Sequence, residues 1–106
     1  MYSKIALSIG GSDSGGGAGI QADLRTFMAL KVHGCSAITC ITAQNSLDVN
    51  CVEAVKKDTL ISQIDTLFSD FNINALKTGM LLNERIINDT ASKLKSYSIP
   101  KVIDPV

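Results

Sequence analysis

The sequence predicts an α/β fold of three layers, in which a mainly parallel sheet carries helices on both faces. Two observations lead to this expectation. Short apolar, β-branched segments alternate along the chain with segments whose apolar residues recur at helical spacing. The first apolar segment also runs into a glycine-rich stretch and then into a helical pattern. Strands that alternate with helices require crossover connections, and these produce parallel strands.

The first half of the chain predicts two strands around one helix. The first strand is expected over Lys4 to Ile9 and ends at the two glycines that follow. A helix is expected from about Ala18 to Lys31, and Gly34 offers a C′ residue to stop it. The segment Ser36 to Ala43 is β-branched and apolar on both faces, which is typical of a strand covered on both sides.

The second half continues the alternation. Cys51 to Val55 is a short extended segment that follows a polar turn, and Asp58 and the threonine after it can cap a second helix. Asn83 can cap a third helix. Two further strands are expected, at Ala75 to Met80 and at Lys101 to Ile103.

The end of the chain suits part of a larger domain better than a complete one. The last strand leads to the apolar Val106 without a helix after it, and about four parallel strands make a small sheet. We therefore expect residues 1–106 to be the first part of a longer protein. The alternative is a natural minimal domain.

Composition excludes several classes of partner. The 106 residues include 10 basic and 10 acidic ones and no Trp, so neither an electrostatic footprint for nucleic acid nor a base-stacking platform is visible. No apolar run approaches the length of a membrane span. The three cysteines, Cys35, Cys40 and Cys51, form no CxxC pair and do not suit zinc, so they predict buried or reduced thiols of a cytoplasmic protein.

The most informative feature is the stretch from Gly10 to Gly19, which holds six glycines in ten residues. Glycines before a helix N-terminus let a polar ligand approach the backbone closely. The stretch is not a Walker phosphate loop, because Gly17 stands where the lysine is required. The GxGxxA match that begins at Gly17 lies too far beyond the strand and lacks the acidic ribose partner, which argues against a nicotinamide site.

Four side chains near predicted strand ends or helix starts are candidates for a site. Asp23 can point into a pocket or simply complement the helix dipole. Gln44 has an amide that can pair with an aminopyrimidine-like edge, or it begins a turn. Met80 forms an adaptable apolar wall or packs in the core. Asp104 suits a magnesium or phosphate site, or it caps the next helix.

Four segments together give the chain a family resemblance. They are Ala6 to Leu24, Thr42 to Ser46, Lys77 to Leu81 and Val102 to Val106. With them the chain resembles the hydroxymethylpyrimidine/phosphomethylpyrimidine kinases of thiamin biosynthesis, which belong to the ribokinase-like superfamily. The resemblance implies a three-layer α/β/α kinase domain, of which residues 1–106 would be the amino-terminal part.

The resemblance also implies an activity and a site. Such kinases transfer the γ-phosphoryl group of ATP, with Mg²⁺, to 4-amino-5-hydroxymethyl-2-methylpyrimidine and then to its monophosphate. By position, Gln44 and Asp23 would hold the aminopyrimidine. Gly11 and Ala18 would shape the floor, and Met80 would pack on the ring.

The part of such a site that binds the phosphoryl donor, ATP, would lie elsewhere. The resemblance places Asp104 on the metal–phosphate side, and it places the nucleotide's glycine-rich turn and the residue that activates the hydroxyl beyond Val106. We therefore expect this chain alone to be inactive. Two alternatives stay open: a pyrimidine-binding module without chemistry, and an interaction fragment whose exposed sheet edge pairs with another chain, as in a homo-oligomer.

Overall fold

The computed structural model describes residues 4–104. Eight elements follow the order that the sequence predicts, and the short extended segment expected after the second strand forms a strand of its own. They are β1 (Ile5–Asp13), α1 (Gly19–Ala29), β2 (His33–Gln44), β3 (Val49–Ala54), α2 (Lys57–Asp70), β4 (Ala75–Thr78), α3 (Glu84–Leu94) and β5 (Lys101–Ile103). Pro105 and Val106, at which the sequence suggested an unfinished layer, lie outside the described residues.

The sheet has the strand order β3-β2-β1-β4-β5. Strands β2, β1, β4 and β5 run parallel, and β3 alone pairs antiparallel to its neighbour. The expected mainly parallel sheet is therefore confirmed. Because the parallel strands end at the same edge, the loops that follow them come together there.

Helices cover both faces of the sheet, which confirms the three-layer architecture. On one face, α2 and α3 bury apolar residues against the three central strands. The cluster consists of Leu7, Ile9, Cys35, Ala37, Leu60, Ile64, Ile73, Leu76, Ile86 and Leu94. On the other face lies α1, whose buried residue is Ile20. None of the helices within residues 4–104 combines the length and apolar character needed to cross a bilayer.

The end of α1 differs from the expectation. Gly34 is not the C′ residue, because it lies inside β2. A Cβ there would come within 2.8 Å of both Leu24 and Phe27, so this glycine allows α1 to pack closely on the sheet. Lys31 takes the left-handed position instead, with φ 60°, and the Lys31 and Val32 amides donate to carbonyls of the last turn in a Schellman arrangement.

Several further boundaries differ from those expected. β2 begins at His33 rather than Ser36, and β3 begins at Val49 rather than Cys51. β1 does not stop at Ile9 but continues through the glycines to Asp13, because β2 pairs with it along this whole length. β4 ends at Thr78 rather than Met80. The N-cap of α2 is Lys56, without a side-chain cap bond, and Asp58 lies in the first turn, where a carboxylate still favours the helix dipole. Asn83 caps α3 as expected, since its side chain accepts a hydrogen bond from the Ile86 amide.

Candidate functional site

A cavity of about 250 Å³ opens where the parallel strands end. It is lined by Gly11, Ser12, Asp13, Ala18, Gly19, Thr42, Gln44, Lys77, Gly79, Met80 and Asp104. Five of the six residues named from the sequence therefore meet in one place, although they come from segments that are far apart in the sequence. The exception is Asp23, which does not line the cavity.

The glycine loop is held in shape by Asp13. This carboxylate is 6% exposed, and it accepts hydrogen bonds from the amides of Gly15 and Ala18, each at 2.8 Å. Its own amide donates to the side chain of Gln21 at 2.8 Å. Asp13 was not among the residues predicted for the site. An aspartate two residues before a glycine is a local signal for such a turn, and it could have suggested this role.

Gly19 begins α1 at the point where the loop crosses β1. Its φ is +62°, and a Cβ at this position would lie 2.4 Å from the carbonyl oxygen of Gly11. Only glycine fits both the backbone conformation and the contact. The helix N-terminus is thereby brought against the strand that forms the floor of the cavity.

Gln44 is fixed to the glycine loop by its backbone. The hydroxyl of Ser14 donates to the Gln44 carbonyl at 2.6 Å and accepts from the Gln44 amide at 2.7 Å. The hydroxyl of Thr42 lies 3.3 Å from the side-chain oxygen of Gln44. Two loops that the sequence treats separately therefore form one wall, with the amide group of Gln44 at the cavity.

At the floor of the cavity, two side chains pack closely against the backbone of Gly11. A Cβ on Gly11 would lie 3.0 Å from Cys40 Sγ and 3.1 Å from Met80 Cε. The absence of a side chain therefore lets Met80 rest over the strand, with the buried Cys40 beneath it. Met80 is 38% exposed, so its side chain presents apolar surface rather than lying in the core.

Asp23 contributes to the cavity through a neighbour. Its Oδ2 accepts a hydrogen bond from the buried Ser8 hydroxyl at 2.7 Å and lies 2.9 Å from Lys77 Nζ. Lys77 lines the cavity, so the ion pair fixes the position of its ammonium group there. Lys77 belongs to one of the segments that carry the family resemblance, but no role could be predicted for it, because nothing local indicates that Asp23 lies beside it.

The carboxylates suit a metal that arrives with a phosphate-bearing ligand. Residues 4–104 contain no group of three His, Cys, Asp or Glu side chains that could enclose an ion. Two carboxylates line the cavity, those of Asp13 and Asp104, and both oxygens of Asp13 accept amide hydrogen bonds from the glycine loop. Mg²⁺ is commonly bound by one or two carboxylates together with substrate phosphates. Asp104 fits that pattern.

Comparison with known proteins supplies the family. The model of the phosphomethylpyrimidine kinase family matches residues 13–106. This chain belongs to the phosphomethylpyrimidine kinase family. A hydroxymethylpyrimidine/phosphomethylpyrimidine kinase of Synechococcus elongatus is 56% identical over 106 residues, and one of Bacillus subtilis is 53% identical over 102 residues. These matches cover 100% and 95% of this chain but only 40% and 38% of the relatives.

Solved structures agree with this family membership. A phosphomethylpyrimidine kinase from Clostridium difficile superimposes with a TM-score of 0.93 at 47% identity, covering 97% of this chain and 45% of that one. A Staphylococcus aureus pyridoxal kinase in complex with pyridoxal gives 0.85 at 36% identity, covering 97% and 39%. The ribokinase-like fold expected of this family member is therefore confirmed. The chain spans less than half the length of these relatives.

Proposed function

We propose that this chain forms the alcohol-binding part of a kinase that phosphorylates 4-amino-5-hydroxymethyl-2-methylpyrimidine and its monophosphate. The observation that carries the proposal is the meeting of Gly11, Gln44 and Met80 around one small cavity. An amide group, an apolar wall and a bare backbone floor are what a one-ring heteroaromatic alcohol requires. In this assignment residues 1–106 are the amino-terminal part of a single ribokinase-like domain in a cytoplasmic enzyme.

Each lining residue has a part in this proposal. The Gln44 amide, which offers one acceptor and two donors, pairs with the amino group and a ring nitrogen. Met80 packs on the ring face, and Gly11 and Ala18 leave room for the ring beneath it. We assign the contribution of Asp23 to Lys77, whose ammonium group it holds at the cavity.

Phosphoryl transfer depends on positioning and on neutralising charge. ATP would supply the phosphoryl group, and Mg²⁺ would neutralise charge on its phosphates. Asp104 would hold the metal, and the cavity would orient the hydroxymethyl group of the acceptor. Because this chain spans only about 40% of its relatives, we expect no measurable turnover from it alone in an ATP-consumption assay. Turnover close to that of a full-length relative would contradict the proposal that this chain holds only the acceptor part of the site.

Calorimetry with the aminopyrimidine alcohol tests the acceptor site directly. We expect Gln44→Ala to weaken binding at least tenfold, since a hydrogen-bonded polar edge then loses its partner. Asn88→Ala, which removes an exposed amide on α3, is the matched control and should leave the affinity unchanged. Unchanged affinity in Gln44→Ala would remove Gln44 from the site.

The same calorimetric experiment can compare pyridoxal with the aminopyrimidine alcohol as the ligand. The Staphylococcus aureus relative in complex with pyridoxal is 36% identical to this chain, and it favours a second candidate function, the phosphorylation of pyridoxal. Tighter binding of pyridoxal than of the aminopyrimidine alcohol would support that alternative.

A further inference from the structure

The pairing of β1 with β2 contains an irregularity directly before the cavity. Gly10 pairs with Ile38 and Gly11 pairs with Cys40, so Thr39 is an extra residue in β2. It forms a β-bulge between two parallel strands. Bulges re-aim the side chains that follow them and are frequent beside functional sites.

The bulge decides which side chains of β2 face the cavity. Side chains alternate between the two faces of a strand, and an extra residue reverses the alternation beyond it. Before the bulge, Ala37 pairs with Ile9, and after it Thr42 pairs with Asp13. Thr42 and Gln44 therefore lie on the same face as Gly11 and Asp13. In an uninterrupted register they would point to the opposite face.

Thr39 is also bonded to the opposite wall of the cavity. Its side chain is fully buried, and its Oγ1 donates to the carbonyl oxygen of Met80 at 2.7 Å, across 41 residues of sequence. Its own carbonyl accepts from the Val55 amide at 2.9 Å. Beside it, Gln63 of α2 bonds both the amide and the carbonyl of Ile38, at 2.8 and 2.9 Å. Hydrogen bonds with Gln63, Val55 and Met80 therefore fix the backbone and the side chain of the bulge.

We propose that Thr39 is a positioning residue for the acceptor cavity, although it does not line it. Its hydroxyl anchors the backbone of Met80, and so holds the flexible Met80 side chain over Gly11. Its place in the bulge simultaneously turns Gln44 toward the same cavity. Thr39 therefore sets the spacing between the apolar wall and the amide wall. The part of this inference that concerns a ligand rests on the function proposed above.

Buried threonines provide a matched control. Within residues 4–104, Thr90 has a buried hydroxyl that finds no hydrogen-bond partner, and it lies on α3 among the core-facing residues. Thr39→Val and Thr90→Val remove the same atom from equally buried sites, but only the first breaks a hydrogen bond to the cavity wall. Thr39→Ser keeps the hydroxyl and should rescue the position.

A readout without ligand is the methyl signal of Met80 in an NMR spectrum of chain labelled at its three methionines. The signal is identified by its loss in Met80→Leu. We expect Thr39→Val to move it toward the position of a solvent-exposed methionine, while Thr39→Ser and Thr90→Val leave it in place. An unmoved Met80 signal in Thr39→Val would overturn the proposal.

Calorimetry with the aminopyrimidine alcohol gives the second readout. We expect Thr39→Val to bind about tenfold more weakly, the equivalent of one lost hydrogen bond, and Thr39→Ser to stay within about threefold of the original chain. If the original chain does not bind this alcohol, the proposed function fails, and the methyl signal still decides the role of Thr39. If Thr39→Val does not fold, Thr39→Ala, which also removes the hydroxyl, replaces it with the same criteria.

Discussion

Individual residues of the glycine loop have different structural roles. Asp13 accepts two loop amides, whereas Gly19 allows α1 to start against the carbonyl of Gly11. Gly17 has neither a left-handed backbone nor a close contact, since a Cβ there would meet its nearest neighbour, Asp13, at 3.9 Å. The glycines are therefore unequal in their tolerance of a side chain.

This difference predicts the outcome of two alanine substitutions. Gly19→Ala combines an unfavourable φ with a contact of 2.4 Å to backbone, so it should lower the free energy of unfolding by about 1–3 kcal/mol or more. Gly17→Ala, the control, should change it by less than about 0.5 kcal/mol. Urea denaturation measures both. Equal effects of the two substitutions would contradict the assignment.

At the scale of elements, an ion pair joins the two helices that share a face. Lys93 of α3 contacts the carboxylate of Asp65 on α2, and the Tyr97 hydroxyl lies 3.2 Å from the same carboxylate. The hydrogen bond from Lys93 lowers the pKa of Asp65 below its ordinary value, and the bond to Asp65 raises the pKa of Lys93. The stacked rings of Tyr97 and Phe68, 3.7 Å apart, lie beside the pair.

These shifts predict a specific dependence of stability on pH. Since the folded pKa of Asp65 is lowered, its contribution is present above the unfolded value of about 3.9 and is lost as the pH falls through the folded value. The raised pKa of Lys93 keeps the pair intact up to alkaline pH. We therefore expect the difference in Tm between the original chain and Asp65→Asn to be constant near neutrality and to shrink below about pH 4.

The control for this pH dependence is Lys93→Met. In Lys93→Met, the loss of Tm below about pH 4 that depends on Asp65 should be smaller than in the original chain. Because the two residues act as a pair, adding Asp65→Asn to Lys93→Met should lower the Tm by less than Asp65→Asn does alone. A Tm difference that stays constant down to pH 2 would contradict the pairing.

At the scale of the whole molecule, the sheet has two unlike edges. Five of the six residues of β3 are exposed, and β5 is exposed throughout, with Val102 at 67% and Ile103 at 61%. Open edges with apolar side chains favour pairing with another strand. Self-association of the chain therefore stays a prediction.

We predict that the chain associates as its concentration rises, and that the β5 edge contributes most because its apolar residues are the more exposed. Val102→Lys should reduce association measured by sedimentation, since a lysine on an edge strand opposes pairing. Val52→Lys on β3 tests the other edge and should have the smaller effect. A monomer at all concentrations would contradict both assignments.

Much of the fold could be predicted because its signals are local. Apolar periodicity reveals which segments are strands and which are helices, and the order of these segments implies parallel pairing. Gln44, Met80 and Asp104 were chosen because they lie at the ends of predicted strands that meet at one edge of the sheet, whereas Gly11 and Ala18 were implied by the family resemblance. All five line the cavity, and their roles there stay predictions. Asn83 was recognised as a cap from its own residue type and position.

Contacts between distant segments decided the rest. The pairing of Asp23 with Lys77, the bulge at Thr39 and the need for glycine at Gly34 all depend on what another element places beside them. A residue carries its helix or strand preference in its own chemistry, but its neighbours across the sheet exist only after packing. The chain's residues therefore dictated its elements and their order, while packing chose the partners that shape the cavity.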